Sequence, residues 1–264
     1  MTDYPDPVPL QHRRLEQIAM TALHVARLLT ECGARVRVAH EGAVLIAHGL
    51  GVEAVGLRTG YASQEITVSS GANTITRMTS VGPHGVNHRL DHALRALAVR
   101  VSKGSMTVEE TERELDRLVR ETPRHAAWVV ALAVGVACAA FGRLLGIDWV
   151  AFAPVLLAGV IGQFVRSLLL KRGLNAYVVA AAIAFLAAGL GGLGARLAGS
   201  GTVNLAMMAS ILLLVPGVPA TNAQTDIMDG FPTMGSARAV SVIMVMVFAT
   251  TGVWLAEILL GVQR

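Results

Sequence analysis

The chemistry-bearing residues of this chain concentrate in one stretch, Leu212 to Arg238, which reads LLLVPGVPATNAQTDIMDGFPTMGSAR. It starts inside an apolar segment. Pro216, Gly217 and Pro219 then interrupt the helix, and Asn222, Gln224, Asp226 and Asp229 follow at once. A proline inside a helix costs about 3 kcal/mol, because it removes one hydrogen bond and clashes with the preceding turn. At membrane depth, carbonyls freed by such a break must find partners in protein or in a water-filled cavity. A broken transmembrane helix with polar groups just past the break is therefore a candidate translocation site.

Each ionisable group in this half of the chain has two readings. Asp226 reads either as a solvated residue of the cytoplasmic loop or as a buried carboxylate that carries a proton or pairs with Arg238, and desolvation would raise its pKa, which suits proton coupling. Asp229 is expected to be an ordinary solvated residue of a loop. Arg143, Arg166, Arg196 and Arg238 can hold a carboxylate through the guanidinium fork, or can reach out to lipid headgroups. Arg166 and Arg238 are the better candidates for an anionic substrate, since both fall on the side of the break. Gln163 lies three residues before Arg166 on the same helix face. Asn204 and Ser210 can line a polar path or simply bond to neighbouring helices. Glu257 reads as an interfacial carboxylate. The candidate substrate-binding or translocation set is thus Pro216, Gly217, Pro219, Asn222, Asp226, Arg238, Arg166 and Gln163, with no metal ligand and no cofactor.

Two patterns are set aside. Gly189-Leu190-Gly191-Gly192-Leu193-Gly194 matches a dinucleotide fingerprint by letters. No strand precedes it, and no acidic residue stands about twenty positions on. Close packing through small residues explains it instead. His84, His88 and His92 recur at helical spacing, but no cysteine or tight carboxylate set completes a zinc site. No GxSxG or similar nucleophile context occurs, so an enzyme is not expected.

The elements around these residues fall into two halves. The 264-residue chain has a mean hydropathy of +0.56 and is 53% hydrophobic. Residues 1–125 hold all eight histidines and most of the charge, whereas 126–264 are nearly charge-free. The net charge of +4 is spread, with no aromatic-interleaved basic stripe, so nucleic acid is not an expected partner. Cys32 and Cys138 fall in different halves, which argues against a disulfide between them. The first nine residues are proline-rich and read as loose.

Within 1–125, an apolar face from Leu15 to Leu29 predicts a helix ending at Gly33. Residues 35–50 fit helical spacing better than strand. Strand-like pieces near 54–58, 65–69 and 73–79 follow, the last two joined at Ser70-Gly71-Ala72 as a hairpin. Asn87 reads as an N-cap, and Thr107 with Glu110 as a capping box. Within 126–264, runs of about 18 or more apolar residues can cross the hydrocarbon core. Five spans are expected, near 126–142, 149–170, 174–198, 202–221 and 237–260, the fourth broken at Pro216-Gly217-Val218-Pro219. The fold class is an α-helical membrane protein of about five transmembrane helices preceded by a small α+β domain.

The chain shows no basic-then-apolar leader. The first half is therefore expected in the cytoplasm and the second in a bacterial inner (plasma) membrane. That orientation leaves Arg166, Lys171, Arg172 and Arg238 inside, and Arg143, Arg196 and Arg264 outside. Trp128, Trp149, Tyr177 and Trp254 fall near span ends, where interfacial aromatics belong.

The motif Leu212-Leu213-Leu214-Val215-Pro216-Gly217-x-Pro219-x-x-Asn222-Ala223-x-x-Asp226-x3-Gly230-x4-Gly235-x-Ala237-Arg238 resembles that of the threonine/serine exporter family, and within it the shorter, split-subunit YjjP-like type. Gly85-Val86-Asn87, Trp128-x3-Leu132 and the polar-then-membrane arrangement fit as well. The resemblance implies export of small carboxylate metabolites, succinate or a similar dicarboxylate for the split type and threonine or serine for fused members. It also implies a half-transporter that works in the bilayer with a smaller multispanning (YjjB-like) subunit of the same superfamily. It supplies no binding residues. A reading of another class, a membrane-anchored enzyme or sensor acting through residues 1–125, finds no catalytic constellation there.

Overall fold

The computed structural model of the protein describes residues 10–123 and 125–262. The expected loose leader, residues 1–9, and Arg264 lie outside the described residues. The chain packs as two compact units. One comprises the residues up to Pro123 together with Val218–Ala239, and the other comprises Arg124–Gly217 and Val240–Arg264. The polar unit is therefore not confined to the first half of the chain. The segment that follows the proline break belongs to it.

In the polar unit, α1 (His12–Glu31) and α2 (Val36–Gly49) precede a three-stranded sheet of β1 (Ala54–Thr59), β2 (Ser63–Ser70) and β3 (Asn73–Ser80). Helices α3 (His88–Ser102) and α4 (Val108–Glu121) complete the first part. The sheet is antiparallel in the order β1-β2-β3, with Ile66 opposite Leu57 and Arg77. Central strand β2 alternates strictly, burying Gln64, Ile66, Val68 and Ser70 on one face. That face packs on α1, whose Leu15, Ile18, Ala22, Val25 and Leu29 are fully buried. Gln64, the polar member of the buried row, donates from Nε2 to Thr30 Oγ1 at 2.7 Å. The local signals act as read. Asn87 Oδ1 accepts from Leu90 N at 3.2 Å, and Thr107 and Glu110 form a reciprocal capping box.

The other unit holds α5 (Ala127–Leu145), α6 (Trp149–Lys171), α7 (Ala176–Leu197), α8 (Val203–Ser210) and a 3₁₀ turn (Leu212–Leu214). The greater part of α10 (Pro232–Leu260) joins them. Four helices, α5, α6, α7 and α10, are long and apolar enough to cross a membrane. A fifth span results if Val203–Leu214 and Gly217–Met228 count together. Large apolar side chains such as Leu144, Trp149, Leu197 and Leu259 face outward, which suits a lipid surroundings. The helices meet through small residues. Gly135 on α5 lies against Leu156 and Val160 of α6, and Gly252 on α10 against the Ala181 carbonyl of α7. The GxGxxG look-alike behaves in the same way: Gly191 faces Ser210, Gly192 faces Met207 and Gly194 faces Pro154.

Candidate functional site

The break lies at Val215-Pro216, after the 3₁₀ turn and before α9 (Gly217–Met228). Pro219 then falls in the first turn of α9, where a missing N–H breaks no intrahelical bond. Helix α9 ends in a left-handed Gly230 (φ +88°), with Phe231 N donating to Asp226 O at 2.8 Å and Gly230 N to Ile227 O at 3.2 Å. This pair of bonds is a Schellman stop. Pro232 opens α10. The two helices cross closely because Gly235 has no side chain: a Cβ there would stand 2.8 Å from Ala223 O.

The α9–α10 corner is bound to the turn between α1 and α2. That turn is itself fixed by Gly33 (φ +91°), with Gly33 N bonded to Thr30 O and Ala34 N to Leu29 O. It presents two carbonyls and a helix N-terminus. Asn222 Nδ2 donates to Gly33 O at 2.7 Å. Arg238 Nη2 donates to Ala34 O at 2.9 Å. Asp226 Oδ1 accepts from Val36 N at 2.8 Å, while its Oδ2 takes the guanidinium of Arg238. Asp226 is fully buried and Arg238 nearly so. Helix α2 has no side-chain cap of its own, since its N-cap residue is Arg35. A carboxylate arriving from elsewhere in the chain fills that place and meets the positive end of the helix dipole.

Two further contacts surround this network. Asp229 is not the solvated loop residue expected. Its side chain is only 16% exposed and pairs with Arg37 Nη2 at 3.0 Å and, more distantly, with Arg35 Nη1 at 3.8 Å. His40 on α2 bonds through Nε2 to Thr59 Oγ1 at 2.8 Å and meets Phe231 edge to face. Burial holds its imidazole below the ordinary value, and the nearby Asp226 carboxylate offsets this in part.

Of the residues named from sequence, Asn222, Asp226 and Arg238 come together here, and Pro219 lies on the same helix α9. Pro216 and Gly217 close the other unit's part of the chain, next to the unit boundary. Gln163 and Arg166 are on α6 in that other unit. Gln163 Nε2 reaches Ser167 Oγ at 3.4 Å, and among the described residues no carboxylate pairs with Arg166. Arg143 donates to Ile147 O and covers the Trp149 ring, and Arg196 donates to Leu260 O at 2.8 Å. His84 turns to Tyr61, with Nε2 3.0 Å from its carbonyl. No sequence signal marks Arg35, Arg37 or His40. Their partners, Asp229 for the arginines and Thr59 and Phe231 for His40, stand at a distance along the chain.

A family model described as "Putative threonine/serine exporter" matches residues 20–260. The chain belongs to the threonine/serine exporter family. Family members are transporters, so the apolar helices are those of a membrane transport protein. Among curated relatives, "Probable succinate transporter subunit YjjP" of Klebsiella aerogenes is 26% identical over 257 residues, covering 96% of this chain and 99% of the relative. Its counterpart in Escherichia coli K12 is 24% identical over 255 residues, with the same coverage of 96% and 99%. An uncharacterised protein of Haemophilus influenzae is 25% identical over 141 residues, 53% of this chain and 47% of that one. No solved structure matches this exporter-family chain.

Proposed function

We propose that this chain is one subunit of a secondary exporter that moves small carboxylates, succinate or a similar dicarboxylate, out of the cytoplasm. A smaller multispanning membrane subunit of the same superfamily completes the pore. The names of the two relatives matched over nearly their whole length support both the substrate class and the need for a partner. The polar unit is the cytoplasmic face of the transporter in this reading.

The observation that carries the mechanism is the buried Asp226–Arg238 pair, seated on the α1–α2 turn directly after the proline break. In this reading the break at Val215-Pro216 lies on the path, and Arg166 with Gln163 offers positive charge and an amide to the substrate carboxylates. Asn222, Asp226 and Arg238 hold the helix that follows the break to the α1–α2 turn. Efflux of labelled succinate from loaded cells expressing wild type, Asp226→Asn or Arg238→Ala tests the assignment. Efflux should fall in both variants; unchanged efflux in both would remove these residues from the mechanism.

The family's description favours a second reading, export of threonine or serine. Counterflow separates the two: external succinate accelerates label exchange under the first reading, external threonine under the second.

A further inference from the structure

We infer that Arg35 and Arg37 form a carboxylate-binding site of the polar unit, and that Asp229 occupies it as the chain's own stand-in for substrate. The inference rests on the carboxylate reading above and adds to it an entry site and a competitor.

Arg35 and Arg37 flank the first residue of α2, so their guanidinium groups stand beside the positive end of a helix. Their side chains are 45% and 51% exposed, open to a solute. Together they carry ten N–H donors. Among the described residues their only carboxylate is Asp229, and it fills the site poorly. Asp229 Oδ1 lies 3.0 Å from Arg37 Nη2, but Oδ2 lies 3.8 Å from Arg35 Nη1, is buried, and makes no hydrogen bond. Two guanidinium forks hold one carboxylate by a single short contact, where a free anion could take a bidentate set from either.

Displacement of Asp229 is mechanically simple. Its backbone N–H bonds to Thr225 O within the end of α9, and the Schellman stop is made by Phe231 and Gly230. The side chain can leave the arginines without unwinding the helix. Its departure removes one of the ties between the α1–α2 turn and the α9–α10 corner, while Asn222, Asp226 and Arg238 keep theirs. An arriving carboxylate thus releases one tie of the helix that follows the break.

Titration calorimetry of the detergent-purified full chain with succinate, acetate and threonine tests this. Asp229→Asn removes the competitor and should tighten succinate binding roughly two- to fivefold, as expected for losing one weak, singly contacted ion pair. Arg37→Gln should weaken it by about tenfold or more. Wild-type succinate binding that neither substitution alters overturns the inference and leaves the exporter reading standing. Acetate binding that tightens in Asp229→Asn, with no succinate binding in any variant, supports the anion site and counts against the dicarboxylate reading. Absence of anion binding in all three proteins overturns the site.

Discussion

Asp226 and Arg238 stand twelve residues apart, on either side of the α9–α10 corner, and meet as a buried pair that also grips the N-terminus of α2. Neither residue is a lone charge in an apolar setting. Every direction from the pair leads to a partner: Val36 N for one carboxylate oxygen, Ala34 O for the guanidinium. Removing one member of such a pair leaves the other buried and unmatched, at a cost of about 3–5 kcal/mol. Arg238→Ala should therefore destabilise the protein more than Asp226→Asn, which keeps an acceptor for Val36 N. Thermal unfolding in detergent gives the ranking, and hydrogen exchange at the Val36 amide gives the mechanism. Slow exchange at Val36 in Asp226→Ala would refute the capping role.

The α1–α2 turn is as demanding as the residues that bind it. Gly33 has φ +91°, and a Cβ there would stand 2.5 Å from the Gly85 carbonyl oxygen. Gly51 has a similar φ of +94° but open space around it. Both Gly→Ala changes incur the left-handed penalty of about 1–2 kcal/mol. Only Gly33→Ala must also push back the 82–87 segment, whose Gly85 N bonds to Glu31 O and Asn87 N to Cys32 O. Gly33→Ala is expected to lose at least about 1 kcal/mol more than Gly51→Ala in denaturant unfolding. Equal losses would show that the contact with Gly85 relaxes freely.

Acidification should loosen the same region. Burial lowers the affinity of His40 and His24 for a proton relative to the ordinary value of 6.5. Just below pH 6.5 the unfolded chain then binds more protons than the folded one, so stability falls as pH drops through that window. The carboxylate of Glu114, held down by Arg100, loses its contribution at lower pH, below its ordinary 4.5. The two effects are separable. His40→Gln can retain a bond to Thr59 and should flatten the decline between pH 6.5 and 5.5 without changing the acid limb. A decline as steep as in wild type would assign the effect elsewhere.

Much of the fold is legible in the sequence because its signals are local. Asn87, Thr107 with Glu110, the Ser70–Asn73 hairpin and the apolar runs each need only their near neighbours to act. Alternation in β2 and the 3.6-residue spacing in α1 carry their burial directly. The proline break is local too, and so is the stop at Gly230. The allegiance of 218–239 to the polar unit is not local. It depends on the carbonyls of Gly33 and Ala34, which no side chain advertises. Asp229 misleads for the same reason: three residues beyond Asp226 in a polar corner it looks solvated, yet arginines some 190 positions earlier in sequence cover it. The Asp226–Arg238 alternative was readable because both partners carry charge.

Packing of the membrane helices gives the last test. Gly252 on α10 and Gly189 on α7 are both glycines of apolar helices, and composition does not distinguish them. Their surroundings do. A Cβ at Gly252 would lie 2.2 Å from the Ala181 carbonyl oxygen and 2.9 Å from Phe185 N, both backbone atoms that no rotamer change can move. A Cβ at Gly189 meets nothing within 4 Å. Without a hydrophobic drive between helices in lipid, close approach of backbones is what holds such bundles together. Gly252→Ala must separate α7 from α10 and give up that contact, a loss of about 1–3 kcal/mol by overpacking. Gly189→Ala should be neutral or slightly stabilising, since alanine is the better helix former by up to about 1 kcal/mol. Thermal stability of the two variants in detergent, followed by monodispersity on size exclusion, reads the difference. Equal behaviour would mean that α7 and α10 do not pack through Gly252.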